Sequence, residues 1–166
     1  MTLAETVATT REALAANPAA GKATFRANTD LVGVTEVDVR VRGHRFKADE
    51  PESLGGTDVA ANPVEYVLAA LGSCHAITYR VWGEHLGIGF DDVQIRVEGD
   101  IDVRGFFGVD DTVRPGISDI RVTATLRGTE PLERYEELHQ QVEAHCPVQD
   151  MLTGSVNVKA ELTVES

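Results

Sequence analysis

Asn62-Pro63-Val64-Glu65-Tyr66-Val67-Leu68-Ala69-Ala70-Leu71-Gly72-Ser73-Cys74-His75-Ala76-Ile77-Thr78-Tyr79 is the stretch on which the fold turns. Asn62 can offer a side-chain oxygen to amides that the first turn of a helix leaves unpaired, and Pro63 has the fixed φ that suits the first helical position. The pair therefore predicts a helix that opens at Pro63, runs to about Leu86 and is ended by Gly87. Residues 64–79 are apolar or small around most of the helical circumference, more than one sheet alone would cover. A second subunit is the natural cover. The longest uncharged run, residues 66–79, is too short to cross a bilayer and contains polar residues.

Outward from this helix, the chain alternates in the manner of strands. Val37, Val39 and Val41 alternate with Asp38, Arg40 and Arg42, and Gly43 turns the chain into His44-Arg45-Phe46-Lys47. With residues 22–27 this suggests three antiparallel strands before the helix. After it, Val93, Ile95, Val97, Ile101 and Val103 suggest one long strand interrupted at Gly99, and Ile120, Val122, Ala124 and Leu126 suggest another. Leu132, Tyr135, Leu138 and Val142 recur at helical spacing, and Val156, Val158, Ala160, Leu162 and Val164 read as a closing strand. The order β-β-β-α-β-β-α-β indicates an α+β fold with antiparallel pairing around a long central helix, and not a doubly wound parallel sheet. Residues 1–16 read as a short helix stopped at Asn17-Pro18. We divide the chain into an N-terminal helical appendage, 1–20, and a single domain, 21–166.

Fifteen Lys and Arg against 27 Asp and Glu give a formal net charge of −12, which repels phosphate backbones and anionic membrane surfaces. Nucleic acid and membrane are therefore not expected partners. No basic segment followed by an apolar run marks a secretory signal, so the expected compartment is the cytosol. Two cysteines in a reducing compartment are more often free, catalytic or metal-binding than a structural bridge. No CxxC spacing supports a metal, and no Gly-rich phosphate loop appears.

The chemistry of the chain lies in those two cysteines. Cys146 precedes Pro147, where it would cap a helix whose amides and dipole favour a thiolate. Cys74 sits in mid-helix among apolar neighbours, where lost hydration disfavours a thiolate unless a cation or hydrogen-bond donors stand nearby. Each sulfur has a histidine beside it, His75 and His145, which read as structural or solvent-facing. Gly105-Phe106-Phe107-Gly108 reads as a loop whose rings plug the core or line an apolar pocket.

The combination of Asn62-Pro63-Val64-Glu65, Ala69-Ala70-Leu71-Gly72-Ser73-Cys74 and His145-Cys146-Pro147-Val148 resembles the OsmC/Ohr family of thiol peroxidases, over roughly residues 22–164. The resemblance implies an intertwined homodimer with the two long helices at its centre and active sites at the interface. It implies that Cys74 is the peroxidatic cysteine, that Cys146 resolves its sulfenic acid to a disulfide, and that a thiol or dithiol reductant restores both. No metal, flavin or haem is implied. Bulky organic hydroperoxides would be preferred to hydrogen peroxide, with Val67, Leu71 and Phe106 as candidate apolar walls.

In the best-understood branch of the family a glutamate directly follows the Asn-Pro pair and works with an arginine from the N-terminal strands. Here that position is Val64. Glu65 comes one residue later, about 900° of helical rotation from Cys74, and so on the opposite face. It serves the partner subunit's site, or it complements the helix dipole as a first-turn acid. Arg26, Arg40, Arg42 and Arg45 lie where the arginine would have to come from, with Arg40 preferred because it points away from the valine face of its strand. The competing reading is a dimeric binding protein on the same fold, with incidental thiols and a pocket for a small apolar ligand.

Overall fold

The computed structural model describes residues 1–165. In chain order the elements are α1 (Leu3–Ala16), β1 (Asn28–Leu31), β2 (Val37–Val41), β3 (His44–Ala48), α2 (Pro63–Leu86), β4 (Asp92–Asp100), β5 (Asp119–Arg127), α3 (Leu132–His145) and α4 (Pro147–Thr153). This is a mixed α+β arrangement with antiparallel pairing and a long central helix.

The central helix begins and ends where its sequence dictates. Asn62 Oδ1 accepts from the Glu65 amide at 2.9 Å, and Glu65 Oε2 accepts from the Asn62 amide at 2.8 Å, a reciprocal capping box. At the other end Gly87 adopts φ 65°, the left-handed conformation that closes helices and favours glycine. One stripe of the helix, with Leu71, His75, Thr78, Tyr79 and Gly83, is buried. Tyr79, Ile88, Phe90, Leu138 and Val142 form the core where α2 meets α3, and Val93, Ile95, Ala124 and Leu126 of the β4–β5 pair pack against it.

The strands fall into two separate sheets, β1-β2-β3 and β4-β5. Residues 22–27, expected as a strand, form none; the first strand starts at Asn28, where Thr29 faces Val39 and Leu31 faces Val37. The strand after α2 is not interrupted at Gly99, which stays in register opposite Ile120, and it stops at Asp100, so Ile101 and Val103 belong to the following loop. A side chain at Gly99 would meet Ile117 Cδ1 and Leu68 Cδ2, each at 3.1 Å, so glycine serves here for close packing and not for breaking the ladder.

The expected closing strand is also absent from the single chain. Residues 156–164 pair with nothing among the described residues, and Val158 and Leu162 are 85% and 89% exposed. Alternation of apolar residues encodes strand propensity, but a ladder needs a partner edge within reach.

Exposure extends well beyond this segment. The chain presents 12243 Å² of accessible surface, whereas a compact monomer of its mass would present about 8,000 Å². Phe25, Leu31, Val34 and Ile77 are among the large apolar side chains left open. The N-terminal sheet touches the central helix at Tyr66, whose hydroxyl donates to the Lys47 carbonyl at 2.6 Å and whose ring meets Phe46. Between β3 and α2, Asp49 is buried and accepts from the Thr35 hydroxyl, the Glu50 amide, and the Thr57 hydroxyl and amide, tying the connecting loop together. None of the described helices is long and apolar enough to cross a membrane.

Candidate functional site

The two cysteines, distant in sequence, come together where α4 packs on α2. Cys146 closes α3 and opens α4, because Pro147 can start a helix but cannot continue one. Neither cysteine is in a disulfide, and their environments differ: Cys146 is 1% exposed, while Cys74 is partly exposed.

Burial pushes the Cys146 thiol up from its ordinary value. The Gln149 and Val148 amides at the open end of α4 pull the other way, and the neighbouring Cys74 thiol raises it further by hydrogen bonding and charge. The expectation that the helix start would lower this thiol is therefore corrected. A helix of only 7 residues supplies a modest local field, and removing a sulfur from water disfavours its anion more strongly.

Beside the thiols, His75 is buried at 2% exposure and meets Gln149 Oε1 through its Nε2 at 2.7 Å. The amide orientation of Gln149 is fixed from its other end, since its Nε2 donates to the Glu143 carbonyl at 3.3 Å. The oxygen of Gln149 thus faces the ring, so Nε2 of His75 carries the proton and donates. His75 Nδ1 is left buried without a partner. His145, next to the other sulfur, gives its Nδ1 to the Gln141 carbonyl at 2.8 Å and packs its ring on Trp82.

A cavity of about 710 Å³ opens beside this cluster. Val64, Val67, Leu71, Ile117, Ile120 and Leu152 give it apolar walls, and His75, Gln149, His139, Glu143 and Arg114 bring polar groups to it. Val67 and Leu71, named from the sequence as apolar walls, line this cavity, whose lining includes neither Cys74 nor Cys146. Phe106 is not among the lining residues: it and Phe107 stack edge to face on an outer loop at 66% and 56% exposure, which corrects the expectation of core or pocket rings. The polar side of the cavity continues inward through the Tyr79 hydroxyl, which hydrogen-bonds His139 Nδ1, while His139 Nε2 lies 3.8 Å from Glu143. Burial and the charge of Glu143 push Tyr79 up to about 12.

The other two sequence candidates are engaged elsewhere in their own chain. The Glu65 carboxylate is exposed and closes the capping box, the first-turn role that was one of its two readings. The Arg40 guanidinium pairs with Asp30 at 2.7 Å across the β1–β2 ladder. His75, Gln149 and Asp49 were missed as organising residues. The signal for Gln149 was its place in the first turn after Cys146-Pro147, and the signal for His75 was its place on the Leu71/Tyr79 stripe. Among the described residues no group of three or more His, Cys, Asp or Glu is arranged to hold a metal ion.

The family model described as OsmC-like protein matches residues 55–161. Among solved structures, the chain is similar to an OsmC-like protein from Mycoplasma pneumoniae, with a TM-score of 0.70 at 16% identity, covering 80% of this chain and 89% of that one. It is similar to an organic hydroperoxide resistance protein OsmC from Legionella pneumophila, with a TM-score of 0.62 at 21% identity over 82% and 94% of the two chains. A third, an organic hydroperoxide resistance protein from Elizabethkingia anophelis, has a TM-score of 0.61 at 18% identity over 80% and 90%. At these identities the likeness establishes the fold. Among curated proteins nothing matches the chain.

Proposed function

We propose, from the premise that the chain belongs to the OsmC-like protein family, that it is a thiol-dependent peroxidase reducing organic hydroperoxides, and hydrogen peroxide more weakly. The observation that carries this reading is the placement of Cys146 beside Cys74 where α4 packs on α2, one thiol partly open and the other buried. Cys74 is the sulfur a peroxide can reach. As a thiolate it attacks the substrate oxygen, the O–O bond breaks, the alkoxide takes a proton and leaves as an alcohol, and Cys74 becomes a sulfenic acid. Cys146 then attacks the Cys74 sulfur, water leaves, and a disulfide forms. A thiol or dithiol reductant returns both to thiols, a cycle suited to a reducing compartment such as the cytosol.

The working unit in this proposal is a homodimer. Surface in excess of a compact monomer, an unpaired C-terminal segment and a sheet standing off the central helix all support it. Arg40 and Glu65, engaged within their own chain, would act on Cys74 only across that dimer. The cavity with its apolar walls favours a second reading, a dimeric protein that binds a small apolar ligand.

The two readings separate in one assay, consumption of cumene hydroperoxide with a panel of thiol and dithiol reductants. Wild type should turn over and Cys74→Ser should not. Equal background consumption by both proteins would remove the enzyme reading and leave the binding protein.

A further inference from the structure

We propose that the His75–Gln149 hydrogen bond is a latch that sets the register of α4 against α2 and so holds Cys146 against Cys74, a positioning role that rests on the dithiol reading above. His75 follows Cys74 in the chain, and Gln149 stands three residues beyond Cys146 in the first turn of α4. The 2.7 Å bond between them is therefore a cross-link one residue away from one sulfur and one helical turn from the other. Among the described residues it is also the only polar contact that fixes the ring, because Nδ1 has no partner there. Gln149 is in turn tied to α3 by its bond to the Glu143 carbonyl. One side chain thus connects the three helices that meet at the dithiol.

The short helix needs such a tie. It has no buried residue of its own beyond the Cys146 that opens it, so few packing contacts fix its later turn along α2. Closing a disulfide requires the Cβ atoms to come within about 3.5–4.5 Å, and a sliding α4 would spend much of its time outside that range. The latch therefore acts on the resolving step and leaves the first attack at Cys74 unaffected.

The test uses glutathione, so it does not depend on peroxide turnover. The Cys74 thiolate attacks oxidised glutathione to give the Cys74–glutathione mixed disulfide and a glutathione thiolate. Cys146 then attacks the Cys74 sulfur, releases the second glutathione thiolate and gives up its proton. Because two glutathione thiols are released for each oxidised glutathione consumed, the effective concentration of the two protein thiols is the square of the glutathione thiol concentration divided by the oxidised glutathione concentration when half the protein is bridged, read by mass spectrometry after alkylation quench. His75→Leu and Gln149→Met should each lower it by about tenfold, and the double variant should be no lower than either alone, since both remove one bond. His75→Gln, which can still donate to Gln149, should restore most of it. Alkylation of Cys74 should stay within about twofold of wild type throughout, which a general loosening of the fold would not allow. The two single variants approach the bond from opposite sides, so either suffices if the other fails to fold. Wild-type effective concentration in a folded single variant would overturn the latch with the dithiol reading intact. Failure of wild type itself to form the Cys74–Cys146 bridge at any glutathione ratio would overturn both.

Discussion

Cys146, buried to 1% exposure, lies against the partly exposed Cys74, and burial together with that neighbour holds its thiol above the ordinary value. The two sulfurs are therefore unequal before any substrate arrives. In the folded reduced protein, iodoacetamide should modify Cys74 first and Cys146 slowly, with both reacting at similar rates in urea. Peptide mass spectrometry over a time course reads the order, and faster native modification of Cys146 would contradict the assignment of roles.

The same inequality gives a pH dependence. A thiol whose folded value is raised contributes stability below the unfolded thiol value, and that contribution is lost as pH rises through the folded one. Tyr79, pushed up to about 12 by burial and Glu143, adds the same sign at higher pH. The urea midpoint of the reduced protein should fall as pH climbs past about 8.5, the ordinary thiol value, and Cys146→Ala should flatten the first part of that fall.

Asp49 has the opposite sign. Hydrogen bonds from Thr35 and Thr57 hold its carboxyl well below the ordinary carboxylate range, so its contribution is present above that range and lost as pH falls toward the folded value. Asp49→Asn should lower stability at neutral pH and reduce the difference between pH 7 and acid. Because Asp49 ties the loop that delivers the chain to Asn62, the loop from 49 to 61 should lose hydrogen-exchange protection in that variant first.

At the start of α2 the functional and structural roles of Glu65 can be separated. Glutamine at this position can still close the capping box, so Glu65→Gln should leave stability nearly unchanged and lower peroxidase activity only partly. Asn62→Ala removes the cap itself and should cost about 1 kcal/mol. Complete loss of activity in Glu65→Gln with the fold intact would place the carboxylate among the reacting groups. Arg40→Met breaks only an exposed pair with Asp30, so slower alkylation of Cys74 in that variant would mark an arginine acting across the dimer.

The excess surface predicts that the dimer and the fold are lost together. Sedimentation at nanomolar concentration should give a dimer, and the thermal midpoint should rise with protein concentration. A compact monomer with a concentration-independent midpoint would contradict it.

The central helix was legible from sequence to the residue, because Asn62, Pro63, Glu65 and Gly87 act on amides and carbonyls within one turn of themselves. The β4–β5 pair and α3 were legible for a related reason: their periodicities record which face is buried, whatever buries it. The pairing of Cys74 with Cys146 came only through the family resemblance, since nothing local relates two distant cysteines. Tertiary structure alone decided the rest. Pro147 marked the helix start correctly, but the direction in which Cys146 titrates depended on how much water the packed helices remove from its sulfur. Residues 156–164 alternate as a strand should, yet pairing depends on an edge that this chain does not bring to them. His75 and Gln149 look unremarkable in sequence and meet only because α4 folds back onto α2. Caps, breakers and periodicity are written into neighbouring residues, whereas desolvation, strand partners and side-chain bonds between helices are properties of segments that become neighbours only on folding.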